Sequence, residues 1–312
     1  MSVLFELLLI LGGIAIMLYG ANLLVGKAAK FGRAKNWPPV LVGITVLAMG
    51  TSLPELIVSV LAAIQGHPLL AAGNIIGSNI TNIGLIVGLA ATLGEIKLSK
   101  KTVNYDIPLS IAPLGVLVFG FILKSTLTSY FGILLILAYF AYVGITAKEY
   151  ERQEQTAVKR PRFTILDFGI LLAGLAMLFS GGELTLHYSE IFFTRIGVSE
   201  TVVGAVLLAF GTSFPELVAT LTGVVKKNPQ IAIGNILGSN VFNSLFVLGS
   251  TALFAPVQVN KLLPEIIFLG LMSGLFVLAA KLGRKHILSK SEGIALFFAY
   301  IVYVCIMTLI IN

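Results

Sequence analysis

Two glutamates stand where a carboxylate is expensive. Glu55 and Glu216 each fall near the middle of an apolar run long enough to cross a bilayer. An ionised group there costs at least ~2.5–3.5 kcal/mol even on the mildest scale. No Lys or Arg lies inside an apolar run to neutralise them. Each ends a hexapeptide, Gly50-Thr51-Ser52-Leu53-Pro54-Glu55 and Gly211-Thr212-Ser213-Phe214-Pro215-Glu216. Proline offers no N–H to the carbonyl four residues back, and its ring pushes that carbonyl aside. The carbonyls of Gly50 and Gly211 are therefore freed, and those of Ala48 and Ala209 are expected to tilt out with them. Irregular backbone at this depth is tolerated only where it lines a cavity. Thr51, Ser52, Thr212 and Ser213 add hydroxyls one turn from each Glu.

A second block adds amides. Gly73-Asn74-Ile75-Ile76-Gly77-Ser78-Asn79-Ile80-Thr81-Asn82 has a counterpart in Gly234-Asn235-Ile236-Leu237-Gly238-Ser239-Asn240-Val241-Phe242-Asn243. Ser78 with Asn82, and Ser239 with Asn243, are four apart and share a helix face, which makes them candidate ligands. The glycine pairs permit close helix approach. Asn74, Asn79, Asn235 and Asn240 are read as hydrogen bonders between helices. Every donor in the set is a hard oxygen, with no His or Cys among them, which selects Ca²⁺, Mg²⁺ or Na⁺ over zinc or copper. Mg²⁺ holds its water tightly, so a dry cage favours Ca²⁺ or Na⁺. Two carboxylates balance one Ca²⁺.

Both blocks repeat at one offset, 161 residues, without a gap. Between Val42 and Ala91, 21 of 50 positions are identical to their counterparts, far above chance. The chain is a duplication whose identities concentrate on polar residues inside apolar helices. Matched polar breaks of this kind mark secondary transporters, with the site at the midplane between inverted repeats.

The elements that hold these residues follow from composition. Of 312 residues 57% are apolar and 11% charged, against about 25% charged in an average soluble domain. A soluble enzyme, a nucleic-acid binder and a disordered chain are excluded. The expected fold is an all-α polytopic membrane protein. Ten runs reach spanning length, at 3–25, 38–65, 69–93, 107–123, 127–147, 163–186, 199–225, 230–255, 264–280 and 291–311. They divide into two five-helix repeats, 1–147 and 163–312, joined by a cytoplasmic linker, 148–162. An odd number of spans per repeat turns the second upside down relative to the first. Of 21 Lys and Arg, 18 fall in the connections after spans 1, 3, 5, 7 and 9. Positive charge stays inside, so both termini face outward, and the +7 net charge is a topology signal with no partner to bind. The single cysteine, Cys305, excludes an internal disulfide and a multi-cysteine metal site. Met1-Ser2-Val3-Leu4-Phe5-Glu6 lacks the basic start of a cleavable signal.

The paired Gly-Thr-Ser-Leu/Phe-Pro-Glu and Gly-Asn-x-x-Gly-Ser-Asn-x-x-Asn blocks resemble the two alpha-repeats of the calcium/cation antiporter superfamily, and within it the prokaryotic sodium/calcium exchangers. The resemblance spans the whole ten-span plan. It implies a core of spans 2, 3, 7 and 8, across which spans 1 and 6 slide to alternate access. It implies that Glu55 and Glu216 ligate Ca²⁺ directly, helped by backbone oxygens around Thr51 and Thr212. Na⁺ would share these Glu and use Ser52, Ser213, Ser78, Ser239 and the carbonyls of Ala48 and Ala209. Several Na⁺ exchange for one Ca²⁺ in such proteins, which makes turnover electrogenic. Asn at both 82 and 243, where some relatives carry Asp, argues against potassium dependence. The linker is too short for the calcium-sensing domains of animal exchangers.

The expected activity is secondary-active Na⁺/Ca²⁺ antiport across a plasma membrane, by a chain that functions as a monomer, with the ions as cargo and no cofactor. H⁺/Ca²⁺ exchange through the same Glu pair remains an alternative. An intramembrane hydrolase lacks a nucleophile motif, and a passive channel would not need mirrored halves.

Overall fold

The computed structural model describes residues 3–123, 126–151, 161–196, 211–282 and 286–311. They form helices α1 (Val3–Lys35), α2 (Pro39–Thr51), α3 (Leu53–Ile64), α4 (Pro68–Leu93), α5 (Thr102–Ile122), α6 (Ser129–Glu151), α7 (Ile165–Arg195), α8 (Phe214–Val225), α9 (Pro229–Phe254), α10 (Leu263–Leu282) and α11 (Lys290–Ile311). Among the described residues eight helices are long and apolar enough to cross a bilayer, or nine if the bent pair α2–α3 is one span. In a bilayer only such closed backbone hydrogen bonding is viable, so the chain is a multi-pass membrane protein. The expected span 199–225 is described from Gly211 onward, where it contains α8.

Several boundaries differ from the sequence-based spans. α1 runs to Lys35 and α7 to Arg195, because charge ends an apolar run without ending a helix and Ala, Lys and Arg are good helix formers. The long ends also bring basic residues to carboxylates of the same chain. Lys27 and Lys30 reach Asp167 at 2.7 and 2.6 Å, and Arg195 reaches Glu6 at 2.7 Å. Lys226, just past α8, donates to the Asn22 carbonyl at 2.7 Å, and partial burial pulls its pKa below the ordinary lysine value. The expected span 38–65 is two helices meeting at 45°. Ser52 sits at the junction with φ −87° and ψ 12°, and Pro54 follows in the first turn of α3. Ser213 and Pro215 repeat this at the start of α8, with φ −85° and ψ 4°.

Burial separates centre from rim. The apolar windows of α4 and α9 are 83% and 94% buried, against 17% in α11. The central helices carry the Asn-rich block, and the outer ones turn apolar side chains to lipid.

Helices meet at paired glycines. On α1 and α7, a Cβ on Gly20 would lie 2.7 Å from the Gly174 carbonyl, and one on Gly181 would lie 2.6 Å from that of Gly13. Gly88 faces Gly293 between α4 and α11, as Gly249 faces Gly132 between α9 and α6. Two short antiparallel ribbons complete the fold: β1 (Ile96–Lys97) with β4 (Ile287–Leu288), and β2 (Thr126–Leu127) with β3 (Val257–Gln258). Ile96 opposes Leu288, and Leu127 opposes Val257. In each case the second contact is the first with both partners shifted by 161 and exchanged, as a two-fold relation between the sequence halves demands. The glycine expectation holds for Gly234 and Gly238, which lie against the backbone of Val40 and Ile44. Gly77 approaches only the Tyr303 hydroxyl among the described residues, and Gly73 none of them.

Candidate cation site

The break at Ser52 and the helix start after Ser213 point the first turns of α3 and α8 at each other's half. Glu55 and Glu216 are both fully buried. Ser52 Oγ donates to Glu216 Oε1 at 2.6 Å, and Ser213 Oγ donates to Glu55 Oε1 at 3.2 Å. Each carboxylate is thus held by the serine of the other repeat. Ser239 Oγ lies 3.5 Å from Glu216 Oε1, too long for more than a weak bond. The second oxygen of each carboxylate, Oε2, has no hydrogen-bond partner among the described residues.

The amides show the same division of labour. Asn82 Nδ2 donates to Asn240 Oδ1 at 3.0 Å, and Asn243 Nδ2 to Asn79 Oδ1 at 3.3 Å. This leaves Asn82 Oδ1 and Asn243 Oδ1 buried and without a partner among the described residues. Asn79 also bonds Ser244 across the α4–α9 interface at 2.7 Å. Asn74 bonds Ser59 at 3.2 Å and Asn235 bonds Thr220 at 3.1 Å, so these four asparagines do link helices.

The remaining candidates lie close by. Thr51 donates to Asn235 Oδ1 at 3.3 Å and Thr212 to Asn74 Oδ1 at 3.4 Å, with Ser78 Oγ 3.3 Å from the Thr212 hydroxyl. Thr212 is half-buried, whereas Thr51, Ser52, Ser213, Ser78 and Ser239 are buried. The Ala48 carbonyl accepts the Ser52 N–H at 3.0 Å. It is therefore not free of the helix, although a carbonyl keeps a second lone pair. Ala209 lies outside the described residues.

Four buried acceptors without donors among the described residues, two from carboxylates and two from amides, define the chemistry. An unsatisfied buried polar group costs about 1–3 kcal/mol, more when charged, and a cation among them compensates all four together. The ion pairs of the described residues, at Asp167, Glu6 and Glu149, leave Glu55 and Glu216 without a basic partner. Glu6 and Asp167 are themselves offset counterparts, each paired to the far end of the other long helix.

Sequence reasoning missed one backbone feature here. π-helical turns run over Asn82–Val87 and Phe242–Val247, at or one residue before the two ligand-candidate asparagines. Such turns cluster at functional sites. No residue type announces them; only their equivalence under the offset makes them legible.

The sequence matches the model of the family described as sodium/calcium exchanger protein over residues 5–148 and 166–309, interrupted at the expected linker. The chain is 33% identical over 266 residues to inner membrane protein YrbG of Escherichia coli, covering 81% of each chain. It is 26% identical to sodium/calcium exchanger MaX1 of Methanosarcina acetivorans, covering 96% of this chain and 97% of that one. The solved structure of the sodium-calcium exchanger NCX_Mj superimposes with a TM-score of 0.85 at 27% identity, covering 98% of this chain and 100% of the other. This multi-pass membrane protein belongs to the sodium/calcium exchanger family.

Proposed function

We propose that the protein is an electrogenic Na⁺/Ca²⁺ antiporter working by alternating access. It has ten spans in two inverted five-helix repeats, 1–147 and 163–312, joined by linker 148–162. It acts as a monomer in the plasma membrane with both termini outside. The observation that carries this reading is the set of buried oxygens on Glu55, Glu216, Asn82 and Asn243 that no donor among the described residues reaches.

Two carboxylates without a basic partner make the cation-free site costly to occlude, because moving uncompensated charge through a dry protein is penalised heavily. Ca²⁺ neutralises both. Na⁺ ions neutralise them in turn, using the hydroxyls of Ser52, Ser213, Ser78, Ser239, Thr51 and Thr212 and the carbonyls of Ala48 and Ala209. Only the loaded states cross, and that restriction makes the cycle an exchange. The sodium/calcium exchanger names of MaX1 and NCX_Mj support Na⁺ and Ca²⁺ as the cargo.

The test is radioactive-calcium uptake into Na⁺-loaded proteoliposomes diluted into Na⁺-free buffer. Uptake that requires internal Na⁺, responds to imposed voltage and disappears in Glu55→Gln and Glu216→Gln is expected. Uptake driven only by a pH gradient would assign proton coupling through the same pair. Near-normal exchange in either variant would refute the mechanism.

A further inference from the structure

A bond between the end of α8 and the body of α1 breaks the symmetry of the two halves. Lys226 Nζ donates to the Asn22 carbonyl at 2.7 Å. Within an α-helix that carbonyl already accepts the N–H of residue 26, four places on, so the ammonium takes its second lone pair. Residue 26 is glycine, and a Cβ there would lie 3.4 Å from Lys226 Nζ. A longer side chain would crowd the space that the ammonium uses. Lys226 takes part in none of the ion pairs among the described residues, so the α1 carbonyl is what its charge rests on.

The sequence does not repeat this arrangement. At the offset of 161, Lys226, Asn22 and Gly26 correspond to Gln65, Glu183 and His187. The ammonium becomes a shorter, neutral amide, and the glycine that admits it becomes an imidazole. Gln65 is exposed where Lys226 is half-buried.

Packing beside the bond differs in the same sense. Ala219 of α8 is 0% exposed and belongs to one apolar cluster with Met17, Ala21, Leu24 and Val25 of α1, against which Val218 also packs. Their equivalents on α3, Val58 and Ile57, are 40% and 56% exposed. The face of α8 is covered by α1, and the matching face of α3 stands open. Where one repeat rocks against the other around a midplane site, the two halves exchange such states at each turnover. For Ala219 to become as open as Val58, α1 must leave α8, and the bond from Lys226 to Asn22 breaks in the same movement.

We propose that Lys226 is a one-sided latch. Its bond to Asn22 holds α1 on α8 and shuts the side that carries the Lys- and Arg-rich connections, cytoplasmic in the orientation proposed above. The other side has only Gln65 opposite Glu183 and His187, so the latch biases the resting protein toward opening outward. The release of the latch in each cycle rests on the alternating-access reading; the bond and its one-sidedness do not.

The test is a spin-label distance measurement on the full chain in lipid nanodiscs. Labels go on Lys35→Cys at the end of α1 and Gln230→Cys at the start of α9, both exposed, in a Cys305→Ser background. Two distances are expected, the shorter one dominant. Lys226→Ala should raise the ratio of the longer to the shorter about three- to tenfold, the scale of one net hydrogen bond. Lys226→Arg, which keeps a cationic donor, should restore most of the native ratio. Gly26→Leu leaves the lysine in place and should act as Lys226→Ala does, which guards against misfolding of the first variant. In proteoliposomes Lys226→Ala should lower half-saturating Ca²⁺ at the Lys226 face and raise it at the opposite face, because more of the protein opens inward. An unchanged ratio in Lys226→Ala or in Gly26→Leu overturns the latch, and so does a change that Lys226→Arg fails to restore. A shifted ratio in a protein that exchanges no Ca²⁺ for Na⁺ refutes the antiport reading and leaves the latch standing.

Discussion

The two serine–glutamate bonds are equivalent in sequence and unequal in geometry, and that inequality can be measured. Ser52 Oγ lies 2.6 Å from Glu216 Oε1, inside the 2.5–2.7 Å range of a charge-assisted O–H···O⁻ bond. Such a bond contributes about 1.5–3 kcal/mol net. Ser213 Oγ lies 3.2 Å from Glu55 Oε1, beyond the usual hydroxyl range, and about 0.5–1 kcal/mol is the appropriate scale. In the proposed site each hydroxyl fixes one carboxylate oxygen and leaves the other for the ion, and losing it transfers the cost of ordering that carboxylate to ion binding. At 1.36 kcal/mol per decade, Ser52→Ala should raise half-saturating Ca²⁺ about 10- to 150-fold and Ser213→Ala about 2- to 5-fold. The assay is Na⁺-driven calcium uptake across a range of external Ca²⁺, on variants that elute as monodisperse protein. Ser52→Thr, which keeps the hydroxyl, should recover most of the loss. Equal shifts at the two serines, or a larger one at Ser213, would refute the assignment of this bond as the stronger positioning contact.

Other perturbations test the scaffold. Gly181→Ala places a methyl 2.6 Å from the Gly13 carbonyl and should cost about 1–3 kcal/mol by forcing α1 and α7 apart, read as loss of monodisperse protein after heating; Gly12→Ala, with nothing within 4 Å, is the neutral control. Asp167→Asn removes the carboxylate shared by Lys27 and Lys30. These lysines are 24% and 32% exposed, so solvent screening keeps the thermal destabilisation small, and it should shrink in high salt. Lys227 adopts φ +58° at the position equivalent to Gly66, φ +84°, so Lys227→Gly should be neutral or stabilise by up to about 1 kcal/mol in the same heating assay; a clear loss would mean the side chain does more than tolerate the turn.

The bilayer explains why so much was legible before the fold. It demands long apolar runs, so spans announce themselves, and it penalises intramembrane charge, so Glu55 and Glu216 stand out at once. Duplication then made each feature count twice. The same logic misplaced boundaries, because α1 continues past Lys27 and Lys30, and α7 runs beyond the expected end at 186 to Arg195, so that these residues reach partners 137 to 189 residues away. Asp106 went unnoticed for a related reason. At the edge of a predicted span it reads as an ordinary interfacial carboxylate, and only packing against Tyr150, 44 residues on, buries it.

Residue types and spacing alone determined the membrane class, the repeat and the chemistry of the candidate ligands, since these depend on transfer energies and local backbone rules. Tertiary structure decided which oxygen of each carboxylate is held and which is left open, that each serine serves the other half's glutamate, and that the amides of Asn82 and Asn243 turn their nitrogens toward asparagines of the opposite repeat. Those choices depend on directional bonds of about 3 Å between distant segments, and no local pattern encodes a direction in space.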